Sequence, residues 1–174
     1  MFDLVLMQGP SGSGKSKVAT MMKDAAIDVG WNATVLSADD YFRDESGNYN
    51  FDPRMLNRAH MVVITKAFRL MNHAKDTKEF YRIIIDNTNM EAWEWELLYT
   101  LATSLGAKRI ILQRADILTP YSELNYEDKD ELARLLFERQ TKNMESYTVI
   151  LRQLLKYEEK VHDYVEVRTF MTGL

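Results

Sequence analysis

The octapeptide Gly9-Pro10-Ser11-Gly12-Ser13-Gly14-Lys15-Ser16 has the residue types and spacing needed to hold a polyphosphate. Its glycines let the main chain curl until successive N–H groups point inward at phosphate oxygens. Gly9, Ser11, Gly12, Ser13 and Gly14 form that cradle. Lys15 is placed to bridge the β- and γ-phosphates, and the Ser16 hydroxyl to ligate Mg²⁺. A helix opening at Lys15 adds the positive end of its dipole. The match to G-x-x-x-x-G-K-[ST] is complete, which predicts a site for ATP (or GTP) with Mg²⁺. It does not choose a reaction, since such loops serve kinases, hydrolases and motors alike.

Two further segments carry acids at the ends of apolar runs. In Leu36-Ser37-Ala38-Asp39-Asp40-Tyr41-Phe42, Asp39 is the candidate base, able to take the proton of an attacking hydroxyl. Asp40 is placed to orient metal, acceptor or backbone, and Tyr41 to stack on an acceptor. In Ile83-Ile84-Ile85-Asp86-Asn87-Thr88-Asn89, Asp86 ends a buried-looking strand, where it could hold Mg²⁺ directly or through water. The bland readings are local: an aspartate capping a turn, or Asn87 and Asn89 closing one.

The elements that must position these residues alternate between apolar runs and amphipathic segments, the pattern of β-α units around a parallel sheet. Strands are predicted at Phe2–Gln8, Ala33–Ser37, Arg82–Asp86 and Ala107–Arg114. Helices are predicted from Lys15 to near Gly30, from Pro53 to about Asn72, from Glu91 to Leu105, and from Glu131 to about Lys160 as one long helix or a pair. Ser37–Asp52 and Asp116–Asp128 read as loops, and Val165–Phe170 as a last strand or a tail. The whole of 1–174 reads as one domain. Its fold class is α/β, a P-loop NTPase three-layer fold with a mostly parallel central sheet and a helical lid at about 116–145.

Composition sets outer bounds. Net charge is −4 and pI about 5.4, which argues against a broadly basic nucleic-acid coat but leaves room for a local basic groove. With no cysteine, disulfides and thiolate metal sites are excluded. The first residues lack a basic leader, and their apolar run is too short for a span, so the expected location is the cytoplasm of a cell or of a phage-infected host.

Taken in order, the phosphate loop, Ser37-Ala38-Asp39-Asp40-Tyr41-Phe42, Tyr49-Asn50-Phe51-Asp52-Pro53, Ala59-His60 and Ile85-Asp86-Asn87-Thr88-Asn89 resemble a group of P-loop kinases. That group contains polynucleotide 5′-hydroxyl kinases, zeta-toxin-like kinases and the kinase-like half of cyclic nucleotide phosphodiesterases. The resemblance implies that Lys15 and Ser16 hold phosphate and metal, that Asp39 is the general base, and that Thr88 and Asn89 belong to the acceptor side. It departs after Asp-Asp-Tyr, where the family's arginine is replaced by Phe42 with Arg43 one residue on. A lid arginine is implied too. Arg139, followed by Gln140, matches the family's Arg-Asn pair better than Arg134.

Three functions remain open on the sequence. The first is a kinase for a nucleic-acid hydroxyl, either a 5′-hydroxyl end or a hydroxymethylated base in phage DNA, with DNA as partner. The second is a small-molecule kinase, which the acidic pI favours. The third is a nucleotide-binding module without transferase activity.

Overall fold

The computed structural model describes residues 1–116, 121–140, 145–157 and 164–172 (of Ser122 the backbone alone). The expected lid segment, 116–145, therefore lies partly outside the described residues.

Five parallel strands form one sheet in the order β2-β3-β1-β4-β5. They are β1 (Phe2–Gln8), β2 (Asn32–Leu36), β3 (Tyr81–Ile85), β4 (Arg109–Asp116) and β5 (Val165–Met171). All seven residues of β1 are buried, as its central place demands. Alternate side chains of β1 point to opposite faces. Phe2, Leu4 and Leu6 join Ile83, Ile85, Ile110 and Leu112 under helices α2 (Leu56–Asp76) and α3 (Glu96–Ser104). Val5 and Met7 join Ile84, Ile111 and Ala115 against α1 (Lys15–Asp28) through Val18 and Ala19. Each of these side chains other than the alanines contributes about 1.5–3 kcal/mol on burial.

One charge sits inside this apolar framework, at the sheet end away from the loop. Asp3 is 0% exposed and receives Arg109 from β4 at 2.5 Å, with Arg82 from β3 at 3.6 Å. The carboxylate pins the three central strands in register.

A separate cluster joins α4 (Tyr126–Glu138) to α5 (Tyr147–Leu155) through Leu132, Ala133, Leu136, Ile150 and Leu154, with Tyr121 beneath. Of the two expected forms, one long helix or a pair, the pair is found. The first member starts earlier than the apolar spacing predicts, because Asn125 and Asp128 make a reciprocal capping box. The second starts at Ser146, whose hydroxyl accepts from the Val149 N–H.

The helix expected over Glu91–Leu105 is also divided. A short 3-10 turn covers Ala92–Glu94, and α3 begins only after Trp95, whose ring is 1% exposed. Burying so large a ring outweighs helical continuity at that residue. Val165–Met171 is a full strand paired with β4, and Asp116 ends β4 instead of opening a loop. Among the described residues no helix is long and apolar enough to cross a membrane.

Candidate functional site

The strand order turns at β1: α1 carries the chain from β1 to one side of the sheet, and α3 carries it from β3 across to β4. Ligands of open α/β sheets bind outside the carboxyl ends of strands at such a point. Gly9 to Ser16, Asp39 and Asp86 all lie there, just after β1, β2 and β3.

The loop has the left-handed backbone its sequence implies, with φ of 83° at Gly12 and 92° at Gly14. Its start is fixed by the Gly9 N–H donating to the Thr88 carbonyl at 3.0 Å. Lys15 is 8% exposed, and its ammonium donates to the Pro10 carbonyl at 2.8 Å. Burial lowers its pKa, while Asp86 and then Asp39 act in the opposite direction. An ammonium held among a desolvating loop and two carboxylates is matched to an incoming polyphosphate. Ser16 is exposed at the first turn of α1.

Asp39 stands in a 3-10 turn, Ala38–Phe42, capped by the Ser37 hydroxyl. Burial raises its pKa. Lys15 and the Tyr49 hydroxyl lower it, Asp86 raises it and Arg43 lowers it. Tyr49 donates to Asp39 Oδ1 at 3.3 Å. Asp39 also helps to raise the pKa of Glu145, after burial. Glu145 is set by Gln140, whose amide accepts from the Glu145 N–H at 2.7 Å and donates to its carbonyl at 2.8 Å.

The ends of β2 and β3 are sewn together. Asp86 N–H donates to the Leu36 carbonyl at 2.8 Å, the Ser37 hydroxyl to the Asp86 carbonyl at 3.0 Å, and the Ala38 N–H to Asn87 Oδ1 at 3.0 Å. The Asp86 carboxylate keeps one buried oxygen, Oδ1, without a hydrogen bond among the described residues. That orphan acceptor and the Ser16 hydroxyl are the hard oxygen donors a Mg²⁺ ion takes. Among the described residues no group of three or more His, Cys, Asp or Glu could hold a metal by itself. A cation here would lean on phosphate oxygens, as Mg²⁺ commonly does.

The other expected residues divide. Arg43 lies 5.2 Å over the Tyr49 ring, beside Asp39. Asp40 and Tyr41 line a cavity of about 90 Å³ with Ser37, Ala59, Val63 and Lys66. Phe42, which stands where the family carries an arginine, is in the core at 6% exposure. Thr88 is half-buried at the loop's start. Asn89 is 2% exposed, with φ 46°, and its amide donates to the Met7 carbonyl at 2.7 Å. Its side chain is thus a strut of the phosphate loop.

Arg139 closes the last turn of α4, three residues beyond Leu136, whose carbonyl would lie 2.9 Å from a Cβ on Gly12. The end of α4 therefore abuts the loop. Arg134 is on the surface, paired with Asp130 at 3.2 Å, a partner other than the Glu131 or Glu138 its spacing also permits. Trp93 is 69% exposed and Trp95 buried.

Sequence reading missed Glu145, Gln153 and Thr172. Each meets the site across a long chain separation and carries no local motif. Tyr49 was visible only as part of its motif.

Residues 4–117 match an AAA domain family, AAA_33. Over 94 residues the chain is 43% identical to human NEDD4-binding protein 2; the match covers 52% of this chain and 5% of that much longer protein. Among solved structures, Kti12 of Chaetomium thermophilum in complex with ADP-AlF3 superposes with a TM-score of 0.62 at 12% identity, over 96% of this chain and 89% of that one. The Mycobacterium tuberculosis APS kinase CysC in complex with AMPPNP and APS gives 0.58 at 15%, over 96% and 87%. A chain of the Pnkp1/Rnl/Hen1 complex gives 0.55 at 19%, over 98% of this chain and 46% of that one. At these identities the likeness establishes the fold, that of P-loop kinases.

Proposed function

Because the chain belongs to the AAA domain family AAA_33 and has a P-loop kinase-like fold, we propose that it transfers the γ-phosphate of ATP to a hydroxyl group of a nucleic acid. The acceptor is a 5′-hydroxyl end or a hydroxymethylated base in DNA. The observation that carries this reading is the convergence of Lys15, Asp39 and Asp86 at the mouth of the phosphate loop, where Lys15 and Asp39 act electrostatically on each other and Asp86 acts on both.

In the mechanism, loop amides and Lys15 neutralise charge on the β- and γ-phosphates. Ser16 and Asp86 would hold Mg²⁺, which would supply positive charge against the negative charge of the phosphates. Asp39 takes the acceptor's proton. Its raised pKa makes it a better base than a solvated carboxylate. Arg43 and Thr88 flank the acceptor's approach, and Arg139 supplies charge from the lid. The Pnkp1 likeness supports a nucleic-acid acceptor. The APS kinase likeness and the acidic pI support the second reading, a small-molecule acceptor.

Labelled ATP offered with DNA bearing 5′-hydroxyl ends, hydroxymethyluracil DNA, RNA and nucleosides tests both. Label in polymer alone is the expected result. Label in small molecules alone selects the second reading, and label in neither acceptor class overturns the transferase assignment. Lys15→Ala should lower turnover at least about a hundredfold; unchanged turnover would sink the phosphate-loop assignment.

A further inference from the structure

The phosphate loop is gripped by three parts of the chain that follow the family-matched residues 4–117. The end of α4 meets Gly12, where a Cβ would stand 2.9 Å from the Leu136 carbonyl and 3.5 Å from its Cδ2. Thr172, just beyond β5, donates its hydroxyl to the Ser13 carbonyl at 2.8 Å. The third contact has the most chemical content. Gln153 of α5 accepts the main-chain N–H of Ser11 through Oε1 at 2.9 Å, across 142 residues of sequence.

Ser11 lies in the half of the loop farther from α1, the half that curls toward the terminal phosphate once Lys15 and the helix start take the β-phosphate. An amide N–H there, on a half-buried residue, gains from an acceptor when the loop is empty, since a donor shielded from water and left unmade is costly. Gln153 can serve because α5 is locked to α4: Ile150, one turn before it, and Leu154, beside it, are both 0% exposed in the shared cluster.

We propose that Gln153 is a positioning residue for nucleotide binding. By taking the Ser11 N–H it fixes the crown of the phosphate loop to the α4–α5 pair before nucleotide arrives. This rests on the reading that the loop holds ATP. Without the brace, the loop residues around Ser11 regain backbone freedom that nucleotide must then remove. A loss of roughly tenfold or more in affinity follows.

The test combines amide exchange at Ser11, followed by NMR, with calorimetric titration of ATP and ADP into the full chain. Gln153→Leu removes the acceptor, Gln153→Asn withdraws it by one methylene, and Gln153→Glu keeps it. Leu and Asn should speed Ser11 exchange and weaken both nucleotides by about tenfold, while Glu should keep Ser11 protected. The Asn variant decides the matter if Leu does not fold. Unchanged Ser11 exchange, or faster exchange with nucleotide affinity within about twofold of wild type, overturns the proposal and leaves the nucleotide site standing. If wild type itself bound neither ATP nor ADP, the loop reading and the proposal would fall together.

Discussion

Replacing Tyr49 by phenylalanine isolates one hydrogen bond to the proposed base. The Tyr49 ring is held independently of its hydroxyl, lying 6.2 Å from Phe42 and 6.3 Å from Phe51 between centroids, with Arg43 5.2 Å over its face. The phenyl group should therefore stay in place while the donor to Asp39 Oδ1 at 3.3 Å disappears. Hydrogen bonds to charged groups contribute about 1.5–3 kcal/mol. This one is longer than the 2.5–2.7 Å usual for a hydroxyl on a carboxylate, so about 1 kcal/mol is the appropriate size. A donor to the carboxylate favours its charged form, so its loss raises the Asp39 pKa further. Asp39 acts as a base only when ionised. On the acid limb, kcat/KM for Tyr49→Phe should fall about fivefold below wild type, and the curves should converge at alkaline pH. The remaining groups facing Asp39, namely Lys15, Asp86, Arg43 and Glu145, are the same in both proteins. The assay is kcat/KM for labelled phosphate transfer across about pH 5 to 9. A loss of equal size at every pH, or an acid limb displaced downward, would refute the reasoning.

Asp116 is 1% exposed, and burial pushes its pKa up to about 6; Arg114 and the Tyr121 N–H offset only part of that cost. A raised folded-state pKa means that its contribution to stability is present below the unfolded value near 3.8 and is lost as pH rises through about 6. Asp116→Asn should therefore stabilise the protein by up to about 3 kcal/mol at pH 8 and lose that advantage near pH 4, as read by urea melts at the two values. Gly12→Ala places a side chain on a backbone with φ 83° and within 2.9 Å of the Leu136 carbonyl, so it should cost at least about 1–2 kcal/mol in denaturant melts and weaken ATP binding with it.

The fold was legible wherever a local signal matched a tertiary need. The Ile83-Ile84-Ile85 run is buried on both faces of a parallel sheet, and Gly14-Lys15 does open a helix. It was illegible where packing overruled periodicity, as at Trp95, or where a cap moved a helix start, as at Asn125. The candidate site divides on the same physical ground. Lys15, Asp39 and Asp86 sit in short motifs whose spacing follows from strand ends, so their meeting could be anticipated. Asn89 looks from its motif like an acceptor contact, yet its side chain is turned inward to Met7, which only the three-dimensional path of the chain decides. Gln153 and Thr172 reach the loop through the docking of α5 and β5, which no local pattern encodes.

The stitching between the ends of β2 and β3 has a kinetic consequence. Since Leu36, Ser37 and Ala38 are joined to Asp86 and Asn87 by three hydrogen bonds, the proposed base and the carboxylate proposed to meet the cation stand on segments tied to each other. Their separation is settled when the polypeptide folds, not when a substrate arrives. Any rearrangement in the proposed reaction would then lie outside this floor, which stays the stationary reference against which reactants are aligned.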